Sequence, residues 1–383
     1  MNRRNFIKVL GAGGVVLAAS PILVNSFADS NNLNYRPTHT YDDIRKTLLS
    51  YAMLSANPHN IQPWKVALPN KNQILLYVDP ERLLPQTDPI HRQIHIGQGT
   101  FIEGLVIAAS RFGIRADVDY FPQGEYGSQT LEDKPVAAIT LIPNSEITAD
   151  PLFGYLATRQ SNKTPYSADE LTVEQLQKIA DVVSRDGLAM QFVDAKSDSS
   201  NMSQFLTQAM TIEEQQAARS LETISMFRFN DKEFATHRDG FGLAQNGVTG
   251  PKRWLAEKLF VTRENAESDP KRFGEEGIKH TQTVAQSAPH FGMLISNDNS
   301  RLTQVQCGRL YQHINLVTAS LGLAQHPMSQ ILQEYSDMLP LQDEFKQHYG
   351  VKANQTVQML FRLGKSELTE PSPRREVSDI VRA

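Results

Sequence analysis

The chain has 383 residues, 38 Lys and Arg against 42 Asp and Glu, a formal charge of −4, and 40% hydrophobic with 21% charged residues. This is globular composition without the basic surplus of a nucleic-acid binder, and the single cysteine, Cys307, excludes a disulfide framework and any multi-cysteine zinc or iron–sulfur site. The length suits two domains, or one large domain of duplicated halves.

The first residues carry paired Arg3-Arg4, then Phe6 and Lys8, then an apolar run from Val9 to Ala19. A basic region, a short apolar core and the small-residue site Ser26-Phe27-Ala28 make an export signal of twin-arginine type. About a dozen apolar residues are too few to span a bilayer. The expected layout is therefore a signal over 1–28, with the mature chain starting at Asp29 and lying in the periplasm without stable membrane insertion. That route exports folded protein, so a cofactor could be loaded before export.

A polar linker over 29–40 precedes a helical spacing from Tyr41 to Leu54. Trp64–Leu68 and Ile74–Val78 flank Pro69-Asn70-Lys71-Asn72 and predict a hairpin. Gly99 to Phe112 predicts an apolar helix closed by Gly113, and Val136–Ile142 a buried strand. A second half opens near Pro151. Ser167-Ala168-Asp169-Glu170 and Thr172-Val173-Glu174-Gln175 both fit capping boxes ahead of a helix reaching Val183. Residues 200–285 are polar and mostly helical in pattern, interrupted at Arg238-Asp239-Gly240-Phe241-Gly242. Strands at Pro289–Ser296 and Val357–Leu363 flank a helix from Gly308 to Leu321, stopped by Gly322. The matched pairs Gly99/Gly113 and Gly308/Gly322 suggest a duplicated unit, with halves at 29–150 and 151–383 and an insert at 200–285.

The stretch Ser55-Ala56-Asn57-Pro58-His59-Asn60-Ile61-Gln62-Pro63-Trp64 is a helix-terminating loop rich in amide and imidazole groups. It can serve as a capped turn, or can offer several hydrogen bonds to a planar heterocycle in a concave site. Arg159-Gln160-Ser161-Asn162-Lys163 alternates cationic and hydroxyl side chains, which in extended chain can converge on a dianion or stand as a solvated turn. His91 and His95 have a helical zinc spacing but no third ligand in view, so no metal is expected. No Gly-x-Ser-x-Gly elbow marks a hydrolase, and Cys307 leads an apolar helix as a buried small hydrophobe.

The loop at 55–64 resembles the Pro-Ser-x-x-Asn-x-Gln-Pro-Trp element of the nitroreductase superfamily of FMN-dependent oxidoreductases, matched at Asn60, Gln62, Pro63 and Trp64. Ala56, Asn57 and Pro58 depart from it, so Asn57 stands where a serine contact is usual. Arg159, Ser161 and Lys163 resemble the family's Arg-x-Ser-x-Arg/Lys element, and Pro373 to Val381, with Arg374 and Arg375, its closing basic element. Gly322 to Gln330 is similar to the loop beside the flavin ring, with Ser329 in place of the usual acid. The order of the elements and the exported, duplicated layout most resemble the Acg-type branch, in which two nitroreductase halves are fused.

That resemblance implies an α+β nitroreductase-like fold of two fused pseudo-repeats, with mainly antiparallel central sheets and surrounding helices. It implies FMN as cofactor, with Arg159, Ser161, Arg374 and Arg375 on the phosphate and ribityl chain and Lys163 at the pyrimidine edge. Asn57, His59, Asn60 and Gln62 would face the ring, and Pro327, Met328, Ser329 and Gln330 would set access to it. No protein residue is expected as acid or base, because the flavin carries the chemistry. The expected function is electron transfer to a small nitro, quinone or similar acceptor; the alternatives are a flavin store without turnover and an exported binder with no flavin. The partners expected are that acceptor and the export machinery, with no nucleic acid, and one chain is expected to hold one FMN as a monomer.

Overall fold

The computed structural model describes residues 41–183 and 187–382. The export signal and most of the linker lie outside the described residues. The α+β class expected from the sequence is the class observed. Helix α1 (Ile44–Ala52) starts at Asp43, whose carboxylate accepts from the Arg45 amide. There follow β1 (Trp64–Ala67), β2 (Gln73–Val78), α2 (Arg92–Arg111), β3 (Ile114–Tyr120) and β4 (Ala137–Pro143). Then come α3 (Val173–Ala180), β5 (Leu188–Asp194), α4 (Ala195–Glu214), α5 (Ala217–Met226), α6 (Asp231–His237), α7 (Gly250–Leu259), α8 (Arg263–Ser268) and α9 (Pro270–Gln286). The chain closes with β6 (His290–Ser296), α10 (Arg301–Ser320), β7 (Ala324–Pro327), α11 (Leu339–His348), β8 (Thr356–Gly364) and α12 (Val377–Ile380).

The strands make two four-stranded sheets, in the orders β1-β2-β4-β3 and β5-β6-β8-β7. Every strand pairing within them is antiparallel. One topology is thus used twice: two strands, a 20-residue helix, two strands. Each long helix stops at a left-handed glycine, Gly113 at φ 66° and Gly322 at φ 69°, a conformation that costs glycine little. The repeats differ between their last two strands, where only the second carries a helix, α11, and most of all between their first two. A short turn joins Ala67 to Gln73, whereas α4 to α9 fill the interval from Asp194 to His290.

Helices α2 and α10 cross at Gly99 and Gly308. A methyl group at Gly99 would stand 1.9 Å from the Val305 carbonyl, and one at Gly308 2.0 Å from that of Ile96, so the backbones touch there. Each helix also begins with a buried arginine reaching into the opposite half. Arg92 donates to the carbonyls of Leu332 and Gln358 and pairs with Glu334 at 3.1 Å; Arg301 donates to those of Gly127 and Thr130. The apolar cores interlock likewise, since Val305 and Leu316 belong to the first and Ile96 to the second. The C-terminal segment returns to the first half, where Val377 and Ile380 enter its core and Val381 pairs with Val66.

Both long helices extend toward the N-terminus beyond their apolar stretches, starting at Arg92 and Arg301 instead of near Gly99 and Gly308. Buried polar first turns explain the shortfall. Of the two capping boxes expected ahead of α3, Thr172 with Gln175 forms, while the Ser167 hydroxyl turns to Asp169. Among the described residues no helix is long and apolar enough to cross a membrane.

Candidate functional site

The loop after α1 is strained. His59, Asn60 and Gln62 have φ of 48°, 56° and 54°, in the left-handed region that β-carbons disfavour. Neighbours hold it there. The Asn57 side chain accepts from the Gln62 amide at 2.8 Å, and Trp64, fully buried, donates from its indole to the Gly97 carbonyl at 2.9 Å. The Asn60 amide donates to the carbonyls of Gly240 and Pro373, each at 3.0 Å. Gln62 donates to the Arg238 carbonyl at 2.9 Å and accepts from the Arg375 amide at 2.8 Å. Asn60 and Gln62 therefore join the insert and the C-terminal segment to this loop. Four polar atoms around it are buried without a hydrogen-bond partner among the described residues: Ser55 Oγ, His59 Nδ1, Asn60 Oδ1 and Gln312 Nε2.

Cationic side chains come to the same place from distant positions. Arg159 and Arg374 are 4% and 5% exposed, and both donate to the Leu54 carbonyl just past the end of α1. Arg159 also donates to Asn315 at 2.6 Å, and Arg374 to the Met53 carbonyl at 2.7 Å. Such carbonyls carry the negative end of the helix dipole and attract cations. Arg375 turns elsewhere, to Asp79 at 3.5 Å and the Gln62 carbonyl at 3.3 Å, so an acid already faces its charge. Ser161 pairs as a bridge with Gln325 of β7, which lays segment 159–163 along the 322–330 loop. Within that loop Pro327 pairs with Phe361, and Met328 is buried in the core under the second sheet. Ser329 leads into a short helical turn at Gln330–Leu332. The Met328 side chain is thus turned into the core, and its amide donates to the Leu360 carbonyl at 2.8 Å.

Lys163 lies against the insert. Its ammonium stands 3.5 Å from the centre of the Phe241 ring, and the His59 ring lies 5.6 Å from that ring. Burial lowers the Lys163 ammonium to about 7. His59 is pushed down to about 4 by burial and then by Lys163. His280 of α9 hydrogen-bonds the Lys163 backbone and also falls to about 4, through burial and the charges of Arg362 and Lys163. His326 is held well below its usual range by burial and the same two cations. Phe241, His280 and Arg362 were not foreseen as site residues. They sit on β8 and on the insert, which the sequence suggests as a lid over the flavin at 200–285 without naming contact residues.

The insert is clasped to the loop by Asp239, which is buried. Its carboxylate meets Arg82 of the first half at 2.7 Å and Nε of Arg228 at 3.0 Å. The adjoining Gly240 amide donates to the Asn60 carbonyl at 3.1 Å. On the outer side, Arg82, Arg228, His237 and Arg263 line a cleft of about 410 Å³ that reaches Ile61.

Of the two zinc-spaced histidines, His95 has other partners, while His91 Nδ1 is buried without one among the described residues. His95 meets the His91 carbonyl at 2.6 Å and the Tyr126 hydroxyl at 2.7 Å, and no three metal-ligating side chains cluster among the described residues. Cys307 is fully buried, and burial pushes its thiol up to about 12, far from a reactive thiolate.

No family model matches the chain. It is 23% identical over 330 residues to PigM of Serratia sp., named as an NAD(P)H nitroreductase, covering 79% of this chain and 85% of that protein. It is 23% identical over 356 residues to acg of Mycobacterium tuberculosis, named likewise, covering 88% and 95%. Among solved structures, the FMN-dependent nitroreductase NfnB from Mycobacterium smegmatis in complex with NADPH aligns with a TM-score of 0.38 at 16% identity, over 61% of this chain and 97% of that one. A nitroreductase with bound FMN from Bacteroides fragilis aligns at 0.35 and 12% identity, over 58% and 93%.

Proposed function

We propose that this chain is an FMN-dependent oxidoreductase of nitroreductase type, in which two fused halves build one flavin site. Its acceptor would be a small nitro or quinone compound, met in the periplasm after twin-arginine export. The observation that carries the reading is the convergence of buried Arg159 and Arg374, from distant positions of the second half, on one carbonyl of the first beside the strained loop 55–62. The curated relatives, whose names specify NAD(P)H nitroreductases, support the same class.

The residues present suit FMN. Two buried guanidiniums fit a phosphate ester, and the four unpartnered atoms Ser55 Oγ, His59 Nδ1, Asn60 Oδ1 and Gln312 Nε2 fit the donors and acceptors of a polar heterocycle. Bound there, FMN would supply the hydride and electron chemistry. Arg159 and Arg374 would anchor the phosphate, with Ser161 beside them; Arg375 and Gln62 would hold the loop in place. Lys163 and His59 would face the ring, and the backbone of residues 327–330 would border it. Asp239 and Phe241 would keep the insert over this face and exclude water.

The insert's tie to the loop favours a second reading, a flavin store without turnover. Native purification followed by identification of the bound chromophore tests the first claim, with FMN expected. Reoxidation of the reduced protein by nitroaromatics or quinones then separates the readings: seconds or faster supports an enzyme, and hours a store.

A further inference from the structure

His59, Lys163, His280, His326 and Arg362 come together from five separate segments, His59 and Lys163 at the Phe241 ring and the others about Lys163 and Arg362, and no carboxylate is among the charges acting on any of the five in the described residues. Beside them stand the aromatic rings of Phe241, 3.5 Å from the Lys163 ammonium, and Tyr166, 3.8 Å below Arg362. A cluster this basic is stable without a counter-charge only while some of its members stay neutral.

The hydrogen bonds distinguish the members. His326 is locked, because its Nδ1 accepts from Arg362 at 3.0 Å and cannot take a proton without losing that bond. The Arg362 guanidinium is held by carbonyls of Val284, Asn162 and Thr164. His280 hydrogen-bonds the Lys163 backbone through one nitrogen, and its Nε2 is buried without a partner, as is His59 Nδ1. Two imidazole nitrogens beside one lysine are therefore open to a proton.

We propose that this cluster is a proton-accepting anion site, in which His280 or His59 takes a proton from solvent when negative charge is placed beside Lys163. The inference rests on the flavin reading above and adds how the site answers charge. The anion could be the flavin phosphate or the ring after two-electron reduction. In the second case a reductant supplies two electrons, one proton goes to the ring and one to an imidazole. Burial lowers Lys163 and both imidazoles, so an arriving anion would raise the proton affinity of all three, and the His280→Gln and His59→Gln variants separate uptake by an imidazole from uptake by the lysine.

The test is proton uptake, measured by calorimetric titration in buffers of different ionisation enthalpy, together with the midpoint potential of the flavin-loaded protein across pH 5–8. Uptake of about one proton with FMN but none with riboflavin assigns the phosphate. No uptake with either, but a potential carrying a second proton that His280→Gln or His59→Gln removes, assigns the ring; that proton adds a tenfold change per pH unit, about 30 mV for a two-electron couple, and a second proton that both variants keep belongs to the ring itself and overturns the proposal. A one-proton slope with no uptake on binding overturns the proposal. If neither flavin binds, the flavin reading fails separately, and inorganic phosphate titrated in the same way decides the cluster: uptake sustains it and its absence overturns it. His280→Gln and His59→Gln should reduce the uptake without lowering the melting temperature. Should either variant fail to fold, the native measurements still decide.

Discussion

Arg159 and Arg374, far apart in sequence, donate to the same oxygen, the Leu54 carbonyl, at 2.5 and 3.3 Å. Two buried guanidiniums pointed at one atom hold more positive charge than a helix end requires. Charge-assisted bonds contribute about 1.5–3 kcal/mol each. Replacing both arginines with alanine is expected to weaken FMN binding about a hundredfold or more and riboflavin binding far less. Fluorescence-quenching titrations with both flavins check this, and equal losses would reject the phosphate role.

Removing Asp239 should loosen the insert. Asp239→Ala leaves buried Arg228 without its acid, a change that costs about 3–5 kcal/mol for a buried pair. Urea denaturation should register the loss, and stopped-flow flavin release should quicken because Gly240 no longer steadies Asn60. Release at the native rate in a destabilised variant would show that the clasp serves stability alone.

The helix crossing has little tolerance. In Gly308→Ala the new methyl meets the Ile96 carbonyl at 2.0 Å, whereas in Gly322→Ala it finds nothing within 4 Å and incurs only the left-handed penalty. Overpacking costs about 1–3 kcal/mol and occasionally more; the penalty at Gly322 is about 1 kcal/mol. Chemical denaturation should rank Gly308→Ala below Gly322→Ala, and the reverse order would mean the helices can part without cost.

Glu213 accepts from the Tyr335 hydroxyl at 2.9 Å, yet burial raises it to about 7. A carboxyl whose folded pKa is raised favours the native state below its unfolded value, and that contribution is lost as pH rises through 7. Glu213→Gln should therefore gain melting temperature relative to the parent between pH 5 and 8. A pH-independent difference between the two proteins would contradict the assignment.

One flavin per chain is expected, in a monomer. In the proposed fused arrangement the contacts of Arg92 and Arg301 with the opposite half lie within one chain, so site assembly should be independent of protein concentration. Flavin-to-protein ratio and solution mass over a dilution series check it. Two flavins per chain, or flavin loss with dissociation of a dimer, would oppose the fused-site reading.

The frame was legible where periodicity is local. Apolar runs marked the hairpin and the cores of α2 and α10, and the glycines at 99, 113, 308 and 322 marked the repeat because each answers a backbone demand. Strand β5 went unnoticed, since its partly exposed, mixed pattern resembles a helix flank as much as an edge strand. The site was legible as motifs but not as partners. Nothing near Lys163 in sequence announces Phe241 or His280, and nothing in Asn60-Ile61-Gln62 shows that both amides bind the backbone of the insert and the C-terminal segment. Those are long-range contacts without a periodic signature.

The insert leaves the second sheet at Asp194 and returns at His290, and these two residues are cross-strand partners. Its ends therefore lie about 5 Å apart, on one rung of the ladder. A segment attached at a single rung can vary in length and sequence without shifting the register on either side. The insert and the frame beneath it can accordingly evolve as separate parts, provided the ties between them are kept, among them Asp239 and Gly240 at the loop, Glu213 on Tyr335 and Phe241 on Lys163. A chain with the frame of this one and a different insert would keep the anchor and change what the anchor is shown to.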